Sequence, residues 1–149
     1  MNKFEDLLKE LGLLLGSNLF PDEHSTCMIL FNNGIKIQIE LDKSSEFLII
    51  GSSLGELPPG NYREQILIEA LKNNLFTEAG IFAFSLKKTA LILFVKKPFD
   101  EINAQSLYDL LSAMNKKALP WITALKDHVC PYIPYTASSS SSSIFNILK

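Results

Sequence analysis

The stretch Ile35, Lys36, Ile37, Gln38, Ile39, Glu40, Leu41 alternates apolar and polar side chains without a break. Successive side chains of a strand point to opposite faces, so this pattern sets one dry and one wet face, as in an antiparallel sheet covered on one side. Asn33-Gly34, just before it, tolerates positive φ and reads as a two-residue turn, which makes 26–32 the partner strand of a hairpin. A loop over 42–45 then leads to a third strand over 47–52, completing a meander. Pro58 and Pro59 cannot donate to a ladder and stop the sheet.

Helical spacing flanks the meander. Phe4, Leu7, Leu8, Leu11, Leu14 and Leu15 recur every three or four residues and share one helix face, with Leu13 off the stripe and Gly16, Asn18 and Pro21 ending the pattern. Asn61 with Glu64 three residues on reads as a capping box that opens a helix over 62–75. Its apolar residues, Tyr62, Ile66, Leu67, Ile68, Ala70, Leu71 and Leu75, spread beyond one narrow stripe. One sheet face cannot hide them all, so part of this helix is expected to meet another chain.

Runs at 80–86 and 89–95, joined at Lys87-Lys88, read as a second hairpin. Leu107, Leu111, Met114, Ala118, Ile122, Leu125 and Val129 then mark a last helix, with Trp121 beside the stripe and a kink or break expected at Pro120. The order α, three β, α, two β, α predicts a two-layer α+β domain over 1–130 with an antiparallel twisted sheet. Past it, 131–149 holds Pro131, Pro134 and six serines at 138–143, a composition that builds no core and predicts a flexible tail. The apolar residues at 144–149 leave two readings for its end, a disordered terminus or a short peptide that docks on its own or a neighbouring subunit.

At 149 residues the chain has the length of one domain. The hydrophobic fraction of 47% and mean hydropathy of +0.16 are high for such a chain and leave apolar area to spare. No apolar run approaches the roughly 20 residues of a membrane-spanning helix. Glu5, Asp6 and Glu10 stand where a secretory signal would be basic, which favours a cytoplasmic protein. Cys27 and Cys130 are too few for a disulfide scaffold and form no CxxC. A net charge of −2, with no basic run beyond a lysine pair, offers nucleic acid no electrostatic footprint.

Reactive chemistry is sparse. His24 and His128 lack a second ligand at helical or hairpin spacing, so no metal is expected. Gly51, Gly55 and Gly60 do not make a phosphate-binding loop, no GxSxG occurs, and Cys27 sits within a strand where a small buried hydrophobe is the simpler reading. The carboxylate pairs Glu5-Asp6, Asp22-Glu23 and Asp100-Glu101 fall at element ends, where helix polarity and solvation account for them. No cofactor and no catalytic residue are expected, and the asset of the chain is its surplus apolar surface.

The segments FEDLLKELG, CMILFNNGIKIQIELDKSSEFLIIGSSLGELP, ALKNN and LPWITAL, in this order of elements, resemble class I chaperones of type III secretion, the Tir-chaperone (CesT-like) family, over about 1–128. The resemblance implies a cytoplasmic bacterial homodimer that keeps the N-terminal segment of a secreted effector extended and export-competent without ATP. It assigns the dimer contact to Tyr62, Ile66, Ile68, Ala70 and Leu71 in the second helix. It places the effector-binding patches on Phe4, Leu8, Leu11, Leu15, Phe20, Ile29 and Phe31. The serine-rich end departs from the family pattern. Alternatives are a small dimeric adaptor joining folded proteins, which would prefer folded partners, and one subunit of a heterodimeric chaperone, which would be unstable alone. A small-molecule site lacks convergent polar groups.

Overall fold

A computed structural model describes residues 2–131. Helix α1 spans Lys3–Leu15. Asn2 caps it by accepting from the Phe4 N–H at 3.0 Å, Glu5 and Asp6 favour the positive end of its dipole, and Gly16 closes it in the left-handed conformation. Strands β1 (Thr26–Leu30), β2 (Lys36–Leu41) and β3 (Phe47–Glu56) form the meander, followed by α2 (Asn61–Asn73), β4 (Ile81–Ser85), β5 (Ala90–Pro98), a single 3₁₀ turn and α3 (Ala104–Asp127). The sheet is antiparallel in the order β1-β2-β3-β5-β4, so α2 carries the chain past the position of β5 to the far edge. The predicted α+β architecture and element order stand.

Pleat and register put Cys27, Ile29, Ile37, Ile39, Leu48, Ile50, Leu91, Leu93 and Phe82 on one face, all buried. The helices gather on this face. α3 contributes Leu107, Leu111, Met114, Ala118, Leu125 and Trp121, whose ring lies 4.4 Å from that of Phe82. Trp121 is on the main buried stripe, whereas Val129 lies past the helix end and is exposed. α1 packs on α3, with Phe4 edge-on to Phe99. One apolar cluster joins all these elements.

Local details differ from the sequence reading. The first hairpin closes on three residues, not two: the Phe31 N–H donates to Ile35 O, the Gly34 N–H donates to Phe31 O, and Gly34 has φ +89. A tight turn followed by a left-handed glycine absorbs the extra residue while keeping the right-handed twist. β3 runs four residues beyond expectation because the bulge between Ser53 and Gly55 lets the ladder with β5 resume. Asn61 does not cap α2. Gly60 holds that position without a side-chain bond, and the Arg63 Nε–H donates to Leu57 O instead. The reciprocal capping box occurs at α3, between Asn103 and Ser106.

Pro120 does not divide α3, which continues as one helix of 24 residues. Its missing N–H leaves one carbonyl without its helical donor, and burial of Ala118, Trp121 and Ala124 on either side outweighs that loss. The proposed tail, apart from Pro131, and the apolar segment 144–149 lie outside the described residues.

Candidate protein-binding surfaces

Among the described residues, no group of three His, Cys, Asp or Glu could hold a metal. Burial pushes the Cys27 thiol up and Asp22 adds to this, against the opposing Phe20 backbone hydrogen bond, so Cys27 stays protonated. A cleft of about 290 Å³ lies between the end of β5 and the start of α3, lined by Lys97, Pro98, Glu101, Ile102, Ser106 and Leu110.

The face of the sheet opposite the core carries no helix among the described residues. Register aligns Met28, Gln38, Gly51, Phe94 and Ile81 in one row across all five strands. Beside it run Ile49 on β3, Ile92 on β5 and Ala83 on β4, all half-buried. This apolar strip is continuous from β3 to β4.

The two sheet edges differ. On β1 the N–H and C=O groups of odd-numbered residues point to β2, as the Phe31 N–H bond to Ile35 O indicates, so those of Thr26, Met28 and Leu30 point outward. At Thr26 the edge is closed: its N–H donates to Asp22 Oδ1 at 2.9 Å and its carbonyl accepts from the Asp22 N–H at 2.8 Å. Among the described residues nothing pairs with the outward groups of Met28 and Leu30, whose side chains are 53% and 64% exposed. Phe20, 69% exposed, lies close by through its backbone bond to Cys27, and Leu13 and Leu14 at the end of α1 are exposed as well.

On β4 the Phe82 N–H and C=O, which face away from β5, are both taken by the side-chain amide of Asn74. The loop leading into β4 is held from α3: Lys117 Nζ donates to the carbonyls of Phe76, Glu78 and Gly80 at 3.0, 3.1 and 2.6 Å. Gly80 has φ +103, and a Cβ there would lie 2.8 Å from Phe94 O, so only glycine fits. Exposed Ile68, Leu71, Leu75 and Phe76 therefore sit on a braced segment.

The residues assigned to binding from the sequence divide accordingly. Phe4, Leu8, Leu11 and Ile29 are buried in the protomer and offer no surface to an effector. The regular stripe chosen for binding is the stripe α1 turns inward, because those spacings are what the core selects. Leu15 and Phe31 are half-buried against the core, and Phe20 is exposed. In α2, Ile66 and Ala70 are likewise core, whereas Ile68 and Leu71 are exposed, at 53% and 69%.

Tyr62 is half-buried and engaged within the protomer. Its hydroxyl lies 2.9 Å from Ala124 O and 2.8 Å from Val129 O, tying the start of α2 to the end of α3. Burial, then Cys130, raises its pKa and keeps that donor protonated. Missed from sequence were Met28, Leu30, Ile49, Ile92 and Phe94. They are the off-stripe positions of strands, and the all-apolar runs 47–50 and 90–95 give Ile49, Ile92 and Phe94 no alternation that would mark their face.

Residues 6–121 match the Tir chaperone protein (CesT) family, within the span over which the sequence resembled it. The chain belongs to this family. Family membership makes it a type III secretion chaperone. Solved structures share the fold. A chain of the HopA1–SchA chaperone–effector complex is 20% identical at a TM-score of 0.67, covering 81% of this chain and 94% of that one. A chain of the ExsC–ExsE complex is 17% identical at 0.68, covering 83% and 93%. A chain of the Yersinia pestis complex of the type III secretion chaperone SycH with a fragment of YscM2 is 17% identical at 0.62, covering 78% and 97%. No curated protein matches this chain in sequence. No helix among the described residues is long and apolar enough to cross a membrane.

Proposed function

We propose that this chaperone works in the bacterial cytoplasm as a homodimer, without enzymatic activity or ATP, and holds the non-globular N-terminal segment of a secreted effector extended until export. The single observation that carries the effector reading is the open main-chain edge of β1 at Met28 and Leu30, flanked by exposed apolar side chains. An extended segment adds a strand there and lays its side chains on Phe20, Met28, Leu30 and the half-buried Leu15 and Phe31.

Four main-chain bonds at about 0.5–1.5 kcal/mol each compete with an ordering cost of about 2–5 kcal/mol, so backbone pairing alone leaves little margin. Contact with apolar side chains, at about 25 cal/mol per Å², decides the balance. A binding step of this kind is an equilibrium and draws on no nucleotide. The homodimer is supported by exposed Ile68 and Leu71 on α2 and the apolar strip on the bare sheet face.

Isolation of the chain from its native host, with limited proteolysis and mass spectrometry of what accompanies it, tests the reading. The expected result is a dimer carrying an exported protein whose N-terminal stretch resists protease only where it is bound. A monomer recovered alone, or one that binds only folded partners, overturns it.

A further inference from the structure

We propose that Asn74 shuts the outer edge of β4 against other copies of this chain, so that β1 can stay open for a client without the sheets joining end to end. This rests on reading the β1 edge as strand-accepting, and goes beyond it by giving one side chain on the opposite edge a part in keeping that acceptor free.

The outermost strands of the sheet are β1 and β4. On β1 two alternate residues, Met28 and Leu30, turn four unpaired main-chain groups outward. On β4 the outward positions are Phe82 and Phe84, with Gly80 just before them. Gly80 is closed: its N–H donates to Thr77 O at 3.1 Å and its carbonyl accepts from Lys117 Nζ at 2.6 Å. Phe82 is closed by the Asn74 amide, and α2 also sends Arg63 over the Phe84 ring, 4.9 Å from its centre. Among the described residues nothing pairs with the outward N–H and C=O of Phe84. The Asn74 side chain thus narrows the opening on β4 from two alternate residues to one.

That difference decides whether a strand adds. One residue offers two main-chain bonds, too few to offset the ordering of a segment, whereas two alternate residues offer four. Without the Asn74 amide, β4 would present the same four groups as β1, on the opposite edge of the same sheet. Such edges pair β1 of one copy with β4 of the next, and a head-to-tail contact that does not close on itself grows without limit. Met28 and Leu30 of one copy and Ile81 and Ala83 of the next lie on the bare face, so joined sheets would also bring apolar side chains together.

Sedimentation velocity of the full-length chain across a concentration series, without any client, tests this. Asn74→Ala is expected to grow with concentration to a mean mass at least about 3-fold the parent's, and its Leu30 amide to gain about 10-fold protection from hydrogen exchange over the same series. Adding Leu30→Pro, which takes a donor off β1, is expected to return the mass to the parent's. Asn74→Asp, which keeps a charge at the edge of β4, is expected to stay at the parent's mass. The Ile37 amide, inside the ladder, reports that the fold is retained. Asn74→Ala that keeps the parent's mass at every concentration overturns the proposal alone, since client binding at β1 does not pass through Asn74. Growth that stops at twice the parent's mass and ignores Leu30→Pro joins β4 to β4; it overturns the head-to-tail proposal and counts against β1 as an acceptor as well. Growth shared by Asn74→Asp, or accompanied by loss of Ile37 protection, is unfolding and overturns the proposal too.

Discussion

Asn74 and Phe82 exchange two hydrogen bonds: the Phe82 N–H donates to Asn74 Oδ1 at 2.7 Å, and Asn74 Nδ2 donates to Phe82 O at 2.9 Å. One side-chain amide thus imitates a neighbouring strand at the outer edge of β4. The helix end is thereby pinned to the sheet edge that follows it. Asn74→Ala removes both partners from a part-buried backbone and is expected to cost about 1–3 kcal/mol. Asn74→Asp keeps the acceptor but sets a carboxylate against Phe82 O, so it should recover none of the second bond. Urea midpoints of the three proteins at equal slope check this.

Lys117 serves the same loop from the other side. Three carbonyls converge on its ammonium, which also lies 5.2 Å from the centre of the Phe82 ring. Lys117→Met keeps the stem but leaves those carbonyls without their donor, and destabilisation of about 1–3 kcal/mol is expected. The local consequence is more specific: amides of 76–80 should exchange faster than those of β2 and β3, which hydrogen exchange resolves.

Acid acts on the loop between β2 and β3. Asp42 accepts from the Ser44 hydroxyl at 2.9 Å and from the N–H groups of Glu46 and Phe47 at 3.1 and 3.2 Å. Burial pushes its pKa up, but the bonds from Phe47, Ser44 and Glu46 and the charge of Lys96 together hold it below its ordinary value. A carboxylate depressed in the folded state adds stability that is present above the unfolded value and lost as pH falls through the folded one. Below pH of about 4, the parent should therefore lose stability more steeply than Asp42→Asn. Denaturant midpoints across that range read the difference.

The edge of β1 gives a substitution that separates folding from binding. The Leu30 N–H points away from β2, so Leu30→Pro breaks no ladder bond within the protomer. It removes one donor and one exposed apolar side chain from the open edge. Retained thermal stability with effector binding weakened about 10-fold or more is expected by isothermal titration, given roughly 1.5 kcal/mol for a bond and its adjoining contact.

Much of this architecture was legible in the sequence because burial writes itself as period. Ile35 to Leu41 alternates since one face of β2 is dry, and Phe4, Leu7, Leu8 and Leu11 recur since α1 has one inward face. The same periodicity misled the assignment of binding residues. A stripe regular enough to be recognised is the one the protomer buries, so Phe4, Leu8, Leu11 and Ile66 were core rather than surface. Phe94 and Ile49 gave no comparable signal, because their face became visible only when register set them beside Gly51 and Lys96. Capping failed at Asn61 for a related reason: Glu64 is too common at helix starts to distinguish a cap from a first turn, and Arg63 reaching Leu57 O depends on tertiary placement.

The dimer reading turns on adjacent turns of α2. Ile66 is fully buried, whereas Ile68 and Leu71 face outward. Ile66→Asp would bury a charge with no partner and should abolish folding, so it says nothing about association. Ile68→Asp and Leu71→Asp place the charge in water in the free protomer and should leave the fold intact. In a dimer that covers them, the same carboxylates are desolvated across the interface twice by symmetry. Sedimentation should then show the double variant shifting from dimer to monomer with its circular dichroism unchanged. A dimer that survives both substitutions would move the interface off α2 and onto the bare sheet strip around Ile49 and Phe94.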